Sequence, residues 1–566
     1  MNIRADIEFS GRTCSNPAPF LEAPPPARAA TPPARIITLT SLLPTIPDQF
    51  IGNALAEHLH SETRDSVLLV EIEAAGPLVS LRDFAAIQPT LNGEFCFAGH
   101  LRKGEGGFQR LNLRVTGESY ELSFVKPLLD HFRSHFRFVL LRIAAAAALD
   151  QVLFECSTHS DLTYLFIRQS QENLYDFDLL LREARSRFNG EWSRLKTVLC
   201  LSRNEPARMT SELAKKVGGP LHAFVHDCPS SAADTAGQRA ASSKTFDADL
   251  RRLAREMGRC RIGLALSSGG AKGLAHIGVI QVLEENGIEV DAVAGCSMGA
   301  YVAAVWGFGC DGTVMEKLAR EVEGRWGIWR LIDPVFPPRE GFVRGQAVKS
   351  RLQRTIGDAH FSELARPIRV VATNLYTLDR AVFSSGDVAS AVHASIAIPG
   401  VCAPVVIDGE SYVDGGIADP MPVDVLEDMG IDRIIAVNTI PTPAYMRCCL
   451  EMEREQKALY GRRHNFLKGL NRRVNYFAPG NILDIMMRAV HGAQIRVAEE
   501  ACRHAEVVLR PLAMDAHWYE FDKPAKFIAM GRRVAEEHLD EIKALARARE
   551  TPYEHQTAHN TMAAVA

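Results

Sequence analysis

The chain predicts an α/β fold in two successive domains, and three observations lead there. Short apolar runs alternate with helical patterns, as in a parallel sheet with crossover helices. The small, polar stretch Ser230 to Lys244 (SSAADTAGQRAASSK) separates two such series. At 566 residues the chain is also longer than one hydrophobic core organises.

Residues 1–34 are rich in Pro and Ala, which cannot build a packed core, so they read as a disordered tail. Residues 35–228 form the first domain, with strands expected at Arg35–Thr40, Ser66–Ile72, Phe136–Ile143, Asp161–Arg168, Lys196–Leu201 and His222–Val225, and a helix at Asp48–His60. Residues 229–247 are the expected linker. A second α/β pattern covers 261–439, followed by a helical extension over 440–550. No repeat of solenoid length is present.

Composition narrows the function classes. A formal net charge of −4 gives no overall field to attract nucleic acid, so none is expected as a partner. The twelve cysteines are scattered, without C-x-x-C or zinc-ligand spacing. They read as reduced thiols in a cytoplasmic protein, and no metal or cofactor is implied. The first twenty residues lack the apolar stretch of a secretory signal. Phe138–Leu149, the most apolar run, contains Arg142 and is shorter than the roughly 20 residues a spanning helix needs. Contact with a membrane is therefore expected to be peripheral, at its inner face.

Three segments of the second domain carry chemistry. In IGLALSSGGAKGLAHIGVIQVLEENG, a buried strand at Ile262–Leu266 leads through Gly269-Gly270-Ala271-Lys272-Gly273 into an amphipathic helix. Bare backbone N–H groups at a helix N-terminus hold an anion. By itself this segment would serve a phosphate equally well, or be only a tight turn. The segment DAVAGCSMGAYVAAVWGFG places Gly295-Cys296-Ser297-Met298-Gly299 between a strand and an Ala-rich helix. That is the G-x-S-x-G elbow in its required context, with Ser297 at the turn and Gly295 and Gly299 letting it close. In APVVIDGESYVDGGIADPMPVDVL, two strand-like runs flank a hairpin turn at Asp408-Gly409, and the second ends at Asp414-Gly415-Gly416.

In this order the three segments resemble the patatin-like phospholipases, over roughly Arg261 to Thr439. Ala394-Ser395-Ile396-Ala397-Ile398-Pro399, with Pro404 after it, also matches that family. The resemblance implies a patatin-like α/β hydrolase with a parallel-rich sheet, similar to bacterial relatives of neuropathy target esterase. It implies Ser297 as nucleophile, Asp414 as its only side-chain partner, and Gly269 to Gly273 as the oxyanion hole. It implies a phospholipid or lysophospholipid as substrate and no cofactor. His276 and His393 are the candidates for a Ser–His–Asp esterase instead, and a silent lipid-binding regulator is a further alternative.

Two segments are candidates for meeting lipid. Trp326, Ile328, Trp329, Leu331 and Phe336 form either a lid or a packed core element. Gly461–Phe477 interleaves Arg and Lys with Phe, Leu and Tyr, as suits an anionic membrane surface or a solvated basic loop. The opening of the first domain resembles the P-loop ATPases of chromosome partitioning. However, its loop reads SLLPTIPDQF, without the glycines and lysine of a phosphate cradle. A degenerate P-loop-like or Rossmann-like domain for regulation or assembly is expected.

Overall fold

The computed structural model of the chain describes residues 34–41, 46–74, 101–104, 106–115, 125–144, 150–168, 194–202, 221–229, 244–324, 327–337, 339–443, 445–447, 451, 482–512 and 517–547. The tail up to residue 33, residues 230–243 of the linker and Gly461–Phe477 lie outside them.

The first sheet contains β1 (Arg35–Ser41), β2 (Val67–Ala74), β3 (Arg102–Lys103), β4 (Gln109–Val115), β5 (Phe138–Ile143), β6 (Leu162–Arg168), β7 (Leu195–Cys200) and β8 (Ala223–Val225). Their order is β3-β4-β2-β5-β1-β6-β7-β8. Among the described strands of this sheet, only β3 runs antiparallel to its neighbour. Central strands such as β5 are buried along their whole length, the pattern of a parallel sheet covered on both faces. All six expected strands are present. β3 and β4 were not anticipated, because in QRLNLRV only Leu111 and Leu113 mark the buried face.

Beyond β1, the helix Asp48–Thr63 begins with Asp48, which pairs with Arg142 of β5 at 3.3 Å. Arg142 also reaches Glu71 at 3.2 Å and Glu73 at 3.0 Å. The start of this helix thus faces an ion-paired cluster of the chain's own carboxylates and arginine.

The second sheet contains β9 (Ile262–Leu266), β10 (Ala292–Cys296), β11 (Ile368–Asn374), β12 (Arg380–Phe383), β13 (Val405–Ile407), β14 (Glu410–Asp414), β15 (Arg433–Val437) and β16 (Val507–Leu509). The order is β13-β14-β11-β10-β9-β15-β16, with β12 on β11. Strands β9, β10, β11, β15 and β16 are mutually parallel. The hairpin β13–β14 turns at Asp408 and Gly409, both at positive φ, as a type I′ turn requires.

Two expected boundaries move. The helix Lys244–Met257 begins inside the expected linker and belongs to the first domain. Phe246, Leu250, Leu253, Ala254 and Met257, at helical spacing, bury into the core under β1 and the helix Asp48–Thr63. The extension after 440 is not purely helical, since β16 completes the second sheet. Its helix Pro524–Glu537 also crosses Ala275–Glu285 at two glycines. A Cβ on Gly278 would strike the Ile528 carbonyl, and one on Gly531 that of Ala275. The second domain therefore continues to Ala546.

Arg255 joins the two domains. Its guanidinium binds Asp291 at 3.0 Å and Glu62 at 2.9 Å, and the three side chains are each about one-tenth exposed or less. Asp291 in turn accepts the amide of Ile262 at 2.7 Å, tying the starts of β9 and β10 together. Arg255→Met would leave Asp291 buried without its cation, while Glu62 would keep only Arg251. It should cost about 3 kcal/mol, read as a lower denaturation midpoint of the full chain.

Candidate active site

Strand register brings the serine and aspartate together. Cys296 lies opposite Val371, and Ala372 lies opposite Asp414. The residue after Cys296 therefore emerges level with Asp414. Ser297 Oγ donates to Asp414 Oδ2 at 2.5 Å, with the two residues 5% and 6% exposed. Asp414 Oδ1 accepts the Gly416 amide at 2.7 Å.

The elbow is a strained turn. Ser297 sits at φ 54°, ψ −120°, a left-handed φ that a residue with a side chain rarely adopts. Close packing holds it there. A Cβ on Gly295 would lie 2.6 Å from the Gly299 carbonyl carbon, and one on Gly299 would strike the Leu266 carbonyl. The Ser297 amide donates to Ser395 Oγ at 2.8 Å, and that hydroxyl donates on to the Val371 carbonyl at 2.6 Å. Ser297 immediately precedes the helix Met298–Gly307, whose positive end favours negative charge on the oxygen.

Asp414 is similarly framed. Its amide donates to the Ala397 carbonyl at 2.8 Å, and Thr373 Oγ1 donates to the Asp414 carbonyl at 3.0 Å. A Cβ on Gly415 would strike the Val371 carbonyl. Burial pushes the carboxyl from the ordinary carboxylate range up to about 6, against the pull of the bonds from Ser297 and the Gly416 amide.

The glycine segment forms a 3₁₀ turn over Gly270–Leu274 beside the elbow, where a Cβ on Gly273 would lie 2.6 Å from Met298 Cγ. A Cβ on Gly269 would strike Thr439 Oγ1. Of the five residues expected to line an oxyanion hole, Ala271 is otherwise engaged, because its amide donates to the Trp518 carbonyl at 2.7 Å. Gly270, at φ 57°, lies against the same carbonyl. Gly269, Gly270 and Gly273 remain as candidates.

Neither histidine joins the pair. His276 is fully buried, its Nε2 bonds the Ser267 carbonyl at 3.0 Å, and desolvation lowers its pKa to about 4. His393 bonds the Arg344 carbonyl at 3.1 Å. Among the described residues no histidine touches Ser297 or Asp414. In the aromatic segment Leu331 is half-buried and Phe336 is 97% exposed, so Phe336 is not a core residue. Trp326 lies outside the described residues, as do the side chains of Ile328 and Trp329. Sequence reasoning missed the roles of Ser395 and Thr373. The motif around Ser395 was visible, but nothing local linked it to Ser297.

Residues 264–427 match the family model for patatin-like phospholipase. This chain carries a patatin-like phospholipase domain. Over 180 residues it is 38% identical to an uncharacterised NTE family protein of Mycobacterium bovis, covering 31% of this chain and 49% of that one. It is 34% identical over 194 residues to the lysophospholipase nte1 of Aspergillus fumigatus, covering 34% of this chain and 13% of the fungal protein. The chain thus spans about half the length of the mycobacterial relative and far less of the fungal one. Among solved structures, a ParA family ATPase from Chlorobium tepidum aligns with 39% of this chain and 98% of its own, at 15% identity and a TM-score of 0.32. VipD from Legionella pneumophila aligns with 50% of this chain and 67% of its own, at 16% identity and a TM-score of 0.26.

The burial of Asp414 in the patatin-like domain has a stability consequence. Its native pKa of about 6 lies above the ordinary 3.8, so the folded chain holds that proton more tightly. The associated stability is complete below pH 4 and is lost as pH rises through 6. The difference corresponds to about 3 kcal/mol. Asp414→Asn should therefore melt higher than wild type at pH 8, with the gap closing towards pH 4 in thermal denaturation.

Proposed function

We propose that this protein is a serine lipid acyl hydrolase of the phospholipase A or lysophospholipase type, working through a Ser297–Asp414 dyad. The observation that carries the reading is the 2.5 Å bond between the Ser297 hydroxyl and a buried carboxylate, inside a patatin-like domain. Asp414 takes the proton as Ser297 Oγ attacks the ester carbonyl. The amides of Gly269, Gly270 and Gly273 receive the negative charge on the tetrahedral oxygen, where one such donor is worth roughly 3 kcal/mol. The alcohol leaves with the proton, and water then releases the fatty acid from the acyl-enzyme.

A carboxylate is a weak base in water. Desolvation places Asp414 at about 6, which lets it accept a proton near neutral pH yet stay ionised before attack. The relatives bearing the name lysophospholipase support a lipid substrate. Phe336, exposed on the loop after Ile328–Leu331, is suited to peripheral contact with a membrane. The first domain contributes none of these groups, and regulation or assembly is its proposed role.

Fatty-acid release from a lipid panel tests the reading. Ser297→Ala and Asp414→Asn should each retain the fold and lose about 10³-fold or more in kcat. Full activity in Asp414→Asn would defeat the dyad. The wild-type rate should fall tenfold per pH unit below about 6, as the proposed base is protonated. Ser395→Ala removes the acceptor of the buried Ser297 amide and should lower kcat about tenfold with little change in KM, because the elbow loosens while the binding surface stays.

A further inference from the structure

Gly416 ends the Asp414 motif, and three polar side chains crowd against it. A Cβ there would lie 2.7 Å from Gln494 Nε2, 3.0 Å from Asp414 Oδ1 and 3.0 Å from Ser268 Oγ. Asp414 is the proposed base, and Ser268 leads directly into Gly269 of the glycine turn. Gln494 therefore stands where the base and the proposed oxyanion donors meet. It arrives on the helix Ile482–Cys502, past the end of the family match at 427.

The Gln494 amide is half-buried and has no hydrogen-bond partner among the described residues. When a bound ligand displaces water from such an amide, a ligand that supplies an acceptor is favoured over one that does not. The acyl chain of a lipid offers it nothing. The alcohol half of the ester, with its glycerol and phosphate oxygens, does.

We propose that Gln494 Nε2 donates a hydrogen bond to an oxygen of the leaving glycerol–phosphate half of the lipid, and so sets a preference for glycerolipids over simple esters. The inference rests on Ser297 being the nucleophile. The alcohol departs when the acyl-enzyme forms, so the contact acts on acylation and leaves deacylation alone. Its signature belongs in kcat/KM for lipids.

The test compares wild type, Gln494→Leu and Gln494→Glu on lysophosphatidylcholine and on p-nitrophenyl butyrate, whose leaving group has neither glycerol nor phosphate. The glutamate variant keeps length and polarity but removes the donor. Both variants should lose about tenfold in kcat/KM on the lysophospholipid, the worth of one uncharged hydrogen bond. On the nitrophenyl ester Gln494→Leu should match wild type, with the acid limb of its pH profile unmoved, whereas the charge added by the glutamate should raise that limb by acting on Asp414. In Gln494→Leu, an equal loss on both esters or a displaced acid limb would show Gln494 acting on Asp414 and overturn the proposal. Unchanged rates on both would overturn it too. Wild-type activity that survives Ser297→Ala would instead bring down the hydrolase reading on which it rests.

Discussion

A carboxylate taken out of water and given two donors among the described residues is the constraint around which the second domain is organised. Isolated burial of such a charge is costly. The chain meets that cost with one hydroxyl and one amide, Ser297 Oγ and Gly416 N. Those two bonds set the spacing between the end of β10 and the end of β14. They also leave the carboxyl above the ordinary carboxylate range, as the proposed proton transfer from Ser297 requires.

The strained elbow works in the same way, since nothing in Ser297 itself prefers a left-handed φ. The turn persists because Gly295, Gly299 and Gly415 let three backbone segments approach more closely than side chains allow, and because Ser395 ties the Ser297 amide to β11. Strain at one residue is borne by the packing of four elements. The ordered motifs of the family are the sequence trace of this arrangement, each being a place where a Cβ does not fit or a hydroxyl must bridge.

Much of this was legible along the chain, because it is local. Buried strands announce themselves by apolar runs, and the elbow and the glycine turn each sit within a few residues of a strand end. The hairpin at Asp408-Gly409 needs nothing beyond its own dipeptide. What escaped depends on partners far away. Ser395 lies 98 residues from the amide it accepts, and Thr373 41 residues from the carbonyl it holds. The helix Lys244–Met257 was hidden because its first residues share the polar character of the linker, although Phe246, Leu250, Leu253 and Met257 already formed a stripe. β16 is three residues long, too short to show periodicity. Ala271 looked like an anion donor until the Trp518 carbonyl, more than two hundred residues away, proved to occupy its amide.

The glycine crossing of Ala275–Glu285 by Pro524–Glu537 bears on how the domain breathes. Two helices that meet backbone to backbone have no side-chain cushion between them, and sliding one along the other would drive carbonyls into Cα atoms. That flank of the domain is effectively a rigid wall behind the glycine turn.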